Sequence, residues 1–258
     1  MLSSDQNQKG GVEREKKTPQ IKTFPVTAEL EEIQENTNTP IILSKEQIIN
    51  KALDFHSKGN IKEAQKSYQD IINQGIKDHR IFFNYGVILN NIGNTKEAQI
   101  LYRKAIKLKP DFSDAHLNLG NILKTLGQPE EAEISTRRSI ELRPDFTMSH
   151  YNLGSILLDL GKLKEAEIST RRAIELRPDF PDSYYNLGNI LRRLSKLDES
   201  IESFRTAIEL NSEYKIAIAE MGRVMTLKGN YREGLQKLKE GYGSIIFDHI
   251  SSVMRVSL

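Results

Sequence analysis

The chain has 258 residues, a formal charge of +2, 28% charged residues, and neither cysteine nor tryptophan. That composition fits one sizeable soluble domain or an extended array, and zero cysteine excludes disulfides and thiolate chemistry. The near-neutral charge gives no reason to expect a polyanion partner, and no apolar run approaches the roughly 18 residues of a membrane span.

In chain order, residues 1–44 come first. They are polar, punctuated by Pro19, Pro25 and Pro40, and without sustained period. This predicts a mostly disordered segment with a short helical stretch near "TAELEEIQE". The start has no apolar core of a signal peptide, so the expected location is cytoplasmic. Ser44 followed by Gln47 is a capping-box pattern, which sets the first firm helix at Lys45. Units with a 34-residue period then start at Lys45, His79, Ser113, Thr147, Pro181 and Lys215, and the last loses the pattern after Gly241, so the array spans 45–241. Residues 242–258 break the pattern and read as a short tail, or as the beginning of a truncated following domain.

Each unit predicts two helices and a turn. The first helix carries a small residue at its eighth position (Ala52, Gly86, Gly120, Gly154, Gly188, Gly222), and the second carries one at position 20, such as Ala98, Ala132 and Ala166. Facing small residues let two helices approach closely. The turn residues Gly59, Gly93, Gly127, Gly161 and Gly229 suit the left-handed conformation that ends a helix, with Ser195 in the fifth unit. Pro110, Pro144 and Pro178 end second helices at position 32. One such hairpin cannot bury its apolar face alone, so units must stack.

These residues and this spacing resemble the tetratricopeptide repeat (TPR) family over residues 45–241, including the aromatics Tyr68, Tyr102 and Phe204 at position 24. Thr136 and Thr170 replace that aromatic, which predicts slight loosening of units three and four. The resemblance implies an all-α, right-handed superhelical solenoid of about six helix-turn-helix repeats, with first helices lining a concave groove that binds peptides. Position 6 in that groove holds Asn50, Asn84, Asn118, Asn152 and Asn186, an asparagine ladder similar to that of the O-linked N-acetylglucosamine transferase TPR region. An amide offers donors and an acceptor to a peptide backbone. The same amide also suits a bond to a neighbouring helix, so both roles stand. Beside it, Phe83, Leu117, Tyr151 and Tyr185 at position 5 either meet a ligand or pack between repeats. The two-carboxylate clamp of chaperone-binding TPR domains is not matched, because position 5 lacks its lysine.

Basic pairs recur on the second helices (Arg103–Lys104, Arg137–Arg138, Arg171–Arg172), with Glu141 and Glu175 placed for surface ion pairs. His116 and His150 lie one repeat apart, too far to share a metal, and read as packing residues. No phosphate loop, nucleophile elbow or metal-helix signature occurs. The expected function is a non-catalytic scaffold without cofactor that binds an extended peptide or partner protein, and neither nucleic acid nor membrane. The alternative is the substrate-recruiting repeat region of a larger enzyme, glycosyltransferase-like or similar.

Overall fold

The computed structural model describes residues 43–248 and 253–257. Residues 1–42, on which the expected helical stretch near Thr27–Glu35 falls, lie outside the described residues. Helices come in pairs. The first three pairs are α1 (Lys45–Ser57) with α2 (Ile61–Asn73), α3 (His79–Asn91) with α4 (Thr95–Leu108), and α5 (Ser113–Thr125) with α6 (Pro129–Leu142). Then follow α7 (Thr147–Asp159) with α8 (Leu163–Leu176), α9 (Pro181–Arg193) with α10 (Leu197–Leu210), and α11 (Lys215–Leu227) with α12 (Tyr231–Tyr242). After α12 the strands β1 (Ser244–Asp248) and β2 (Val253–Ser257) form an antiparallel pair, with Ile246 opposite Arg255.

Local chemistry sets these boundaries. Ser44 accepts a hydrogen bond from the Gln47 amide at 3.2 Å, and Gln47 accepts one from the Ser44 amide at 2.8 Å, which pairs two donors that helix geometry leaves orphaned. The turns use the left-handed region, at φ 73° for Gly127 and 62° for Ser195. Ser195 is strained there, because its Cβ crowds the following carbonyl. Proline is not the only stop. α2 ends at Gly75 (φ 77°), whose amide bonds the Ile72 carbonyl. α10 stops at Asn211, whose side chain accepts from the Glu213 amide at 3.2 Å.

Within a pair, position 8 meets position 24. A Cβ on Gly188 would lie 2.7 Å from the Phe204 ring, and one on Gly86 would lie 2.8 Å from Tyr102. Tyr68, Tyr102 and Phe204 are buried in those contacts. Thr136 and Thr170 occupy the same slot and are also fully buried. Thr136 satisfies its hydroxyl by donating to the Ala132 carbonyl at 2.8 Å.

Between pairs the contacts are asymmetric. First helices of successive units approach each other at α1–α3, α5–α7, α7–α9 and α9–α11, whereas no comparable contact joins two second helices. First helices therefore form the inner wall of a curved stack and second helices splay on the outside. The solenoid is all-helical up to β1.

Candidate functional site

The inner wall is built from positions 5, 6, 9 and 12 of the first helices. At position 5 the rings belong mainly to packing. Phe83 lies 4.7 Å from Phe112 and 5.8 Å from Tyr102 between ring centroids. Tyr151 packs on Phe180 at 5.2 Å, and Tyr185 on Tyr214 at 5.3 Å. Phe83 and Leu117 are buried within the array, while Tyr151 and Tyr185 keep part of their surface open. Burial pushes the Tyr151 phenol up to about 12, helped by the nearby Asp182 charge. Asp182 accepts a hydrogen bond from the Tyr214 hydroxyl at 2.6 Å, and Tyr214 too is raised, first by burial and then by that bond.

The position-6 amides differ in what they bond. Asn186 is buried and donates from Nδ2 to the Thr170 hydroxyl at 3.3 Å. Asn118, half-buried, lies against the Tyr102 hydroxyl; burial raises that phenol strongly and the Asn118 contact opposes the rise. Asn84 is fully buried, donates to the Arg80 carbonyl at 2.9 Å, and leaves its Oδ1 without a partner. Asn152 has a buried Nδ2 with no partner. Asn50 stands in the first unit, half-buried. After Phe204, which has no hydroxyl, position 6 becomes Glu220, held by Tyr242 at 3.1 Å and Arg223 at 3.3 Å. Asn118 and Asn186 thus reach position 24 of the preceding unit, whereas Asn84 bonds its own helix and Asn152 has an unpartnered donor, a difference that a single-unit reading of the sequence passes over.

Position 9 continues the polar wall with Asn121, Ser155 and Asn189, all half-buried. Asn189 donates to the Tyr185 carbonyl at 3.1 Å. Lys124 reaches Ser155 and lies 3.5 Å from Asp159. At the C-terminal end Arg193 bonds the Leu158 carbonyl at 2.5 Å, and Arg192 lies 4.0 Å from Glu220. Arg192, Arg193 and Arg223 leave this end of the wall basic.

The outer wall is different. Arg103, Arg137 and Arg171 reach Glu131, Glu165 and Glu199 of the next unit at 2.7, 2.6 and 3.0 Å. Arg138 and Arg172 pair with Glu141 and Glu175 at 2.8 Å each. His116 and His150 each hold the carbonyl of Pro110 and Pro144, at 3.0 and 2.8 Å. Among the described residues no group of three or more His, Cys, Asp or Glu is placed to hold a metal, and no helix is long and apolar enough to cross a membrane.

Comparison with known proteins agrees with this geometry. Models described as tetratricopeptide repeat match residues 79–112, 101–134 and 181–214, and one described as TPR repeat matches 154–194. The crystal structure of MamA is 25% identical, with a TM-score of 0.56 over 60% of this chain and 91% of that one. YrrB, described as a TPR protein with an unusual peptide-binding site, is 22% identical, with a TM-score of 0.58 over 69% and 92%. PilF of Pseudomonas aeruginosa is 17% identical, with a TM-score of 0.64 over 78% and 93%. No curated protein matches.

Proposed function

We propose that this chain, which tetratricopeptide-repeat models match over residues 79–134 and 154–214, is a scaffold whose inner wall holds an extended peptide. The observation that carries the reading is the orientation of the amides at Asn118 and Asn186. Each lies against a hydroxyl of the preceding unit, and Asn186 is bonded there through its Nδ2, so its oxygen is the end offered to a ligand. An anchored amide presents a fixed acceptor, so the ladder receives ligand backbone N–H groups without reading side chains. Stacked helices repeat at roughly 8–10 Å and an extended chain advances about 3.3 Å per residue, so one amide meets about every third ligand residue. Asn121 and Asn189 add contacts in the same rows. Arg192, Arg193 and Arg223 favour an acidic ligand at the C-terminal end. Tyr151 and Tyr185 supply open ring edges, whereas Asn84, Phe83 and Leu117 support the wall from behind and Asn50 stands at its first step. YrrB, a relative in fold with a described peptide-binding site, supports this use of the architecture.

The test begins with a displayed library of extended peptides selected on the full chain. Affinity of the selected peptide is then measured for Asn118→Ala and Asn186→Ala. Loss of an acceptor facing a desolvated backbone N–H costs about 1–3 kcal/mol, or roughly 5- to 140-fold in affinity. Selected peptides that bind both variants with unchanged affinity would remove the ladder from the site.

A further inference from the structure

Between successive units the chain repeats one small arrangement and then leaves it incomplete. Position 34 is an aromatic ring in units two to five: Phe112, Phe146, Phe180 and Tyr214. In the first three of these, position 31 is a cation that sits over the ring. Lys109 lies 5.4 Å from the Phe112 centroid, Arg143 lies 3.3 Å from Phe146, and Arg177 lies 3.8 Å from Phe180. In unit three the cation also meets a carboxylate, because Arg143 donates to Asp114, the second residue of α5, at 3.0 Å. A ring face beside a carboxylate suits a planar guanidinium, which stacks and donates at once.

Unit five keeps every part of that seat except the cation. Asp182, the second residue of α9, corresponds to Asp114, and Tyr214 corresponds to Phe146. Tyr185 packs against Tyr214 at 5.3 Å, as Tyr151 packs against Phe180 at 5.2 Å. Position 31, however, is Asn211. Its backbone, at φ −146° and ψ 93°, nearly repeats that of Arg143 at φ −145° and ψ 86°. An arginine at 211 can therefore take the course that Arg143 takes, and the sequence supplies a neutral side chain instead. Among the described residues no lysine or arginine lies within ion-pair distance of Asp182. The hydroxyl that distinguishes Tyr214 from Phe146 donates to Asp182 Oδ1 at 2.6 Å, which orients the carboxylate without neutralising it. Both residues are half-buried, so solvent reaches them. We propose that Asp182 and the Tyr214 ring form a seat for a guanidinium from outside the chain, carried by an arginine of a bound peptide. Arg192 lies ten residues further along α9, about 15 Å away at 1.5 Å per residue, so the two ends of this helix select opposite charges. The peptide as source rests on the reading above, whereas the guanidinium seat itself does not.

The test titrates the full chain with N-acetyl-arginine amide and with N-acetyl-citrulline amide, its neutral isostere, while NMR follows the ring signals of Tyr185 and Tyr214. The arginine probe should shift them saturably and bind about tenfold or more tightly than citrulline, since only the cation gains from ring and carboxylate. Asn211→Arg should abolish the response by filling the seat from within. Asp182→Asn keeps an acceptor for Tyr214 and should weaken the probe about tenfold. Asn118→Ala and Asn186→Ala should leave it unchanged, which separates failure of the seat from failure of the ladder. A glycine-flanked arginine pentapeptide should bind at least as well as the blocked amino acid. Free arginine binding more tightly than either would make the ligand a small molecule and overturn the peptide source. Equal binding of citrulline, no saturable shift, or an unaltered response in Asn211→Arg would overturn the seat.

Discussion

Along the second helices, Arg137 bridges Glu133 of its own unit at 2.9 Å and Glu165 of the next at 2.6 Å, and Arg171 repeats the arrangement with Glu167 and Glu199. Along the first helices, Asn186 bonds backwards to Thr170 of the preceding unit, Asn118 lies against Tyr102, and Asn152 has a buried donor with no partner. Outer polar groups close on one another. Inner ones retain hydrogen-bonding capacity, and polar capacity held half-buried without a partner is uncommon unless something else uses it. The contrast sets an outer wall of ion pairs between units against the inner wall on which we place the proposed ligand.

The largest expected effect lies beneath both walls. Phe204→Ala should lower stability by about 3–5 kcal/mol, since the glycine at 188 cannot fill the space left by the ring. Thr170→Ala at the equivalent position should cost less, about 1–3 kcal/mol, mostly by stranding the Asn186 donor. Chemical denaturation of the two variants compares them directly. Equal losses would mean that the aromatic and threonine versions of the slot do the same job.

Inside the ladder the amides should then separate by their anchors. Asn186→Ala gives up a bond to Thr170 and should cost about 1 kcal/mol of stability. Asn152→Ala gives up no Nδ2 bond and should cost clearly less. If both variants melt alike, the division into anchored and unanchored amides has no energetic content.

This division was only partly readable from the residues. The six units and their helix pairs follow from a 34-residue period, because glycine, proline and small residues act locally and mark their own positions. Gly75 and Asn211 as helix stops were available as local signals too, yet a search for proline at position 32 passes over them. The coupling of position 24 to position 6 of the next unit joins residues 16 apart on two helices. Likewise the Arg103–Glu131 spacing of 28 residues has no helical periodicity to reveal it. Ring packing at position 5 was open in the sequence because an aromatic suits either a ligand or a core; only the neighbouring Phe112, Phe180 and Tyr214 place it.

A smaller effect should appear with pH. Burial holds His56 below the usual histidine range; it does the same for His79, against the Asp78 charge, and for His116, against its bond to the Pro110 carbonyl. The unfolded chain therefore binds these protons first. Their contribution to stability is present above about pH 6.5 and is lost as pH falls through the lower folded values. Asp78 and Glu133 are also held low, where hydrogen bonds from Arg80, and from Lys162 and Arg137, outweigh burial. They act only below about pH 4.5, so the two windows separate. Thermal midpoints between pH 7.5 and 5 should decline, and His56→Gln should flatten the slope. An unaltered slope in that variant would assign the decline elsewhere.

The outer rail should matter least to stability. Arg137→Ala removes contacts to Glu133 and Glu165, but the arginine is 43% exposed and Glu165 is 53% exposed. Exposed pairs contribute about 0–1 kcal/mol, because solvent screens the attraction and two long side chains must be ordered to make it. Glu133, only 12% exposed, still has Lys162 at 2.7 Å after the change, so it is not left unpaired. The expected loss is at the low end of that range and should vanish in about 1 M salt, where the screening length falls to about 3 Å. Arg137→Ala with Arg171→Ala should be nearly additive, since each has its own glutamates and no shared partner. Melts at low and high salt check this. A loss that persists at high salt would point to the arginine stems packing between second helices, and would move part of the outer wall from charge pairing to burial.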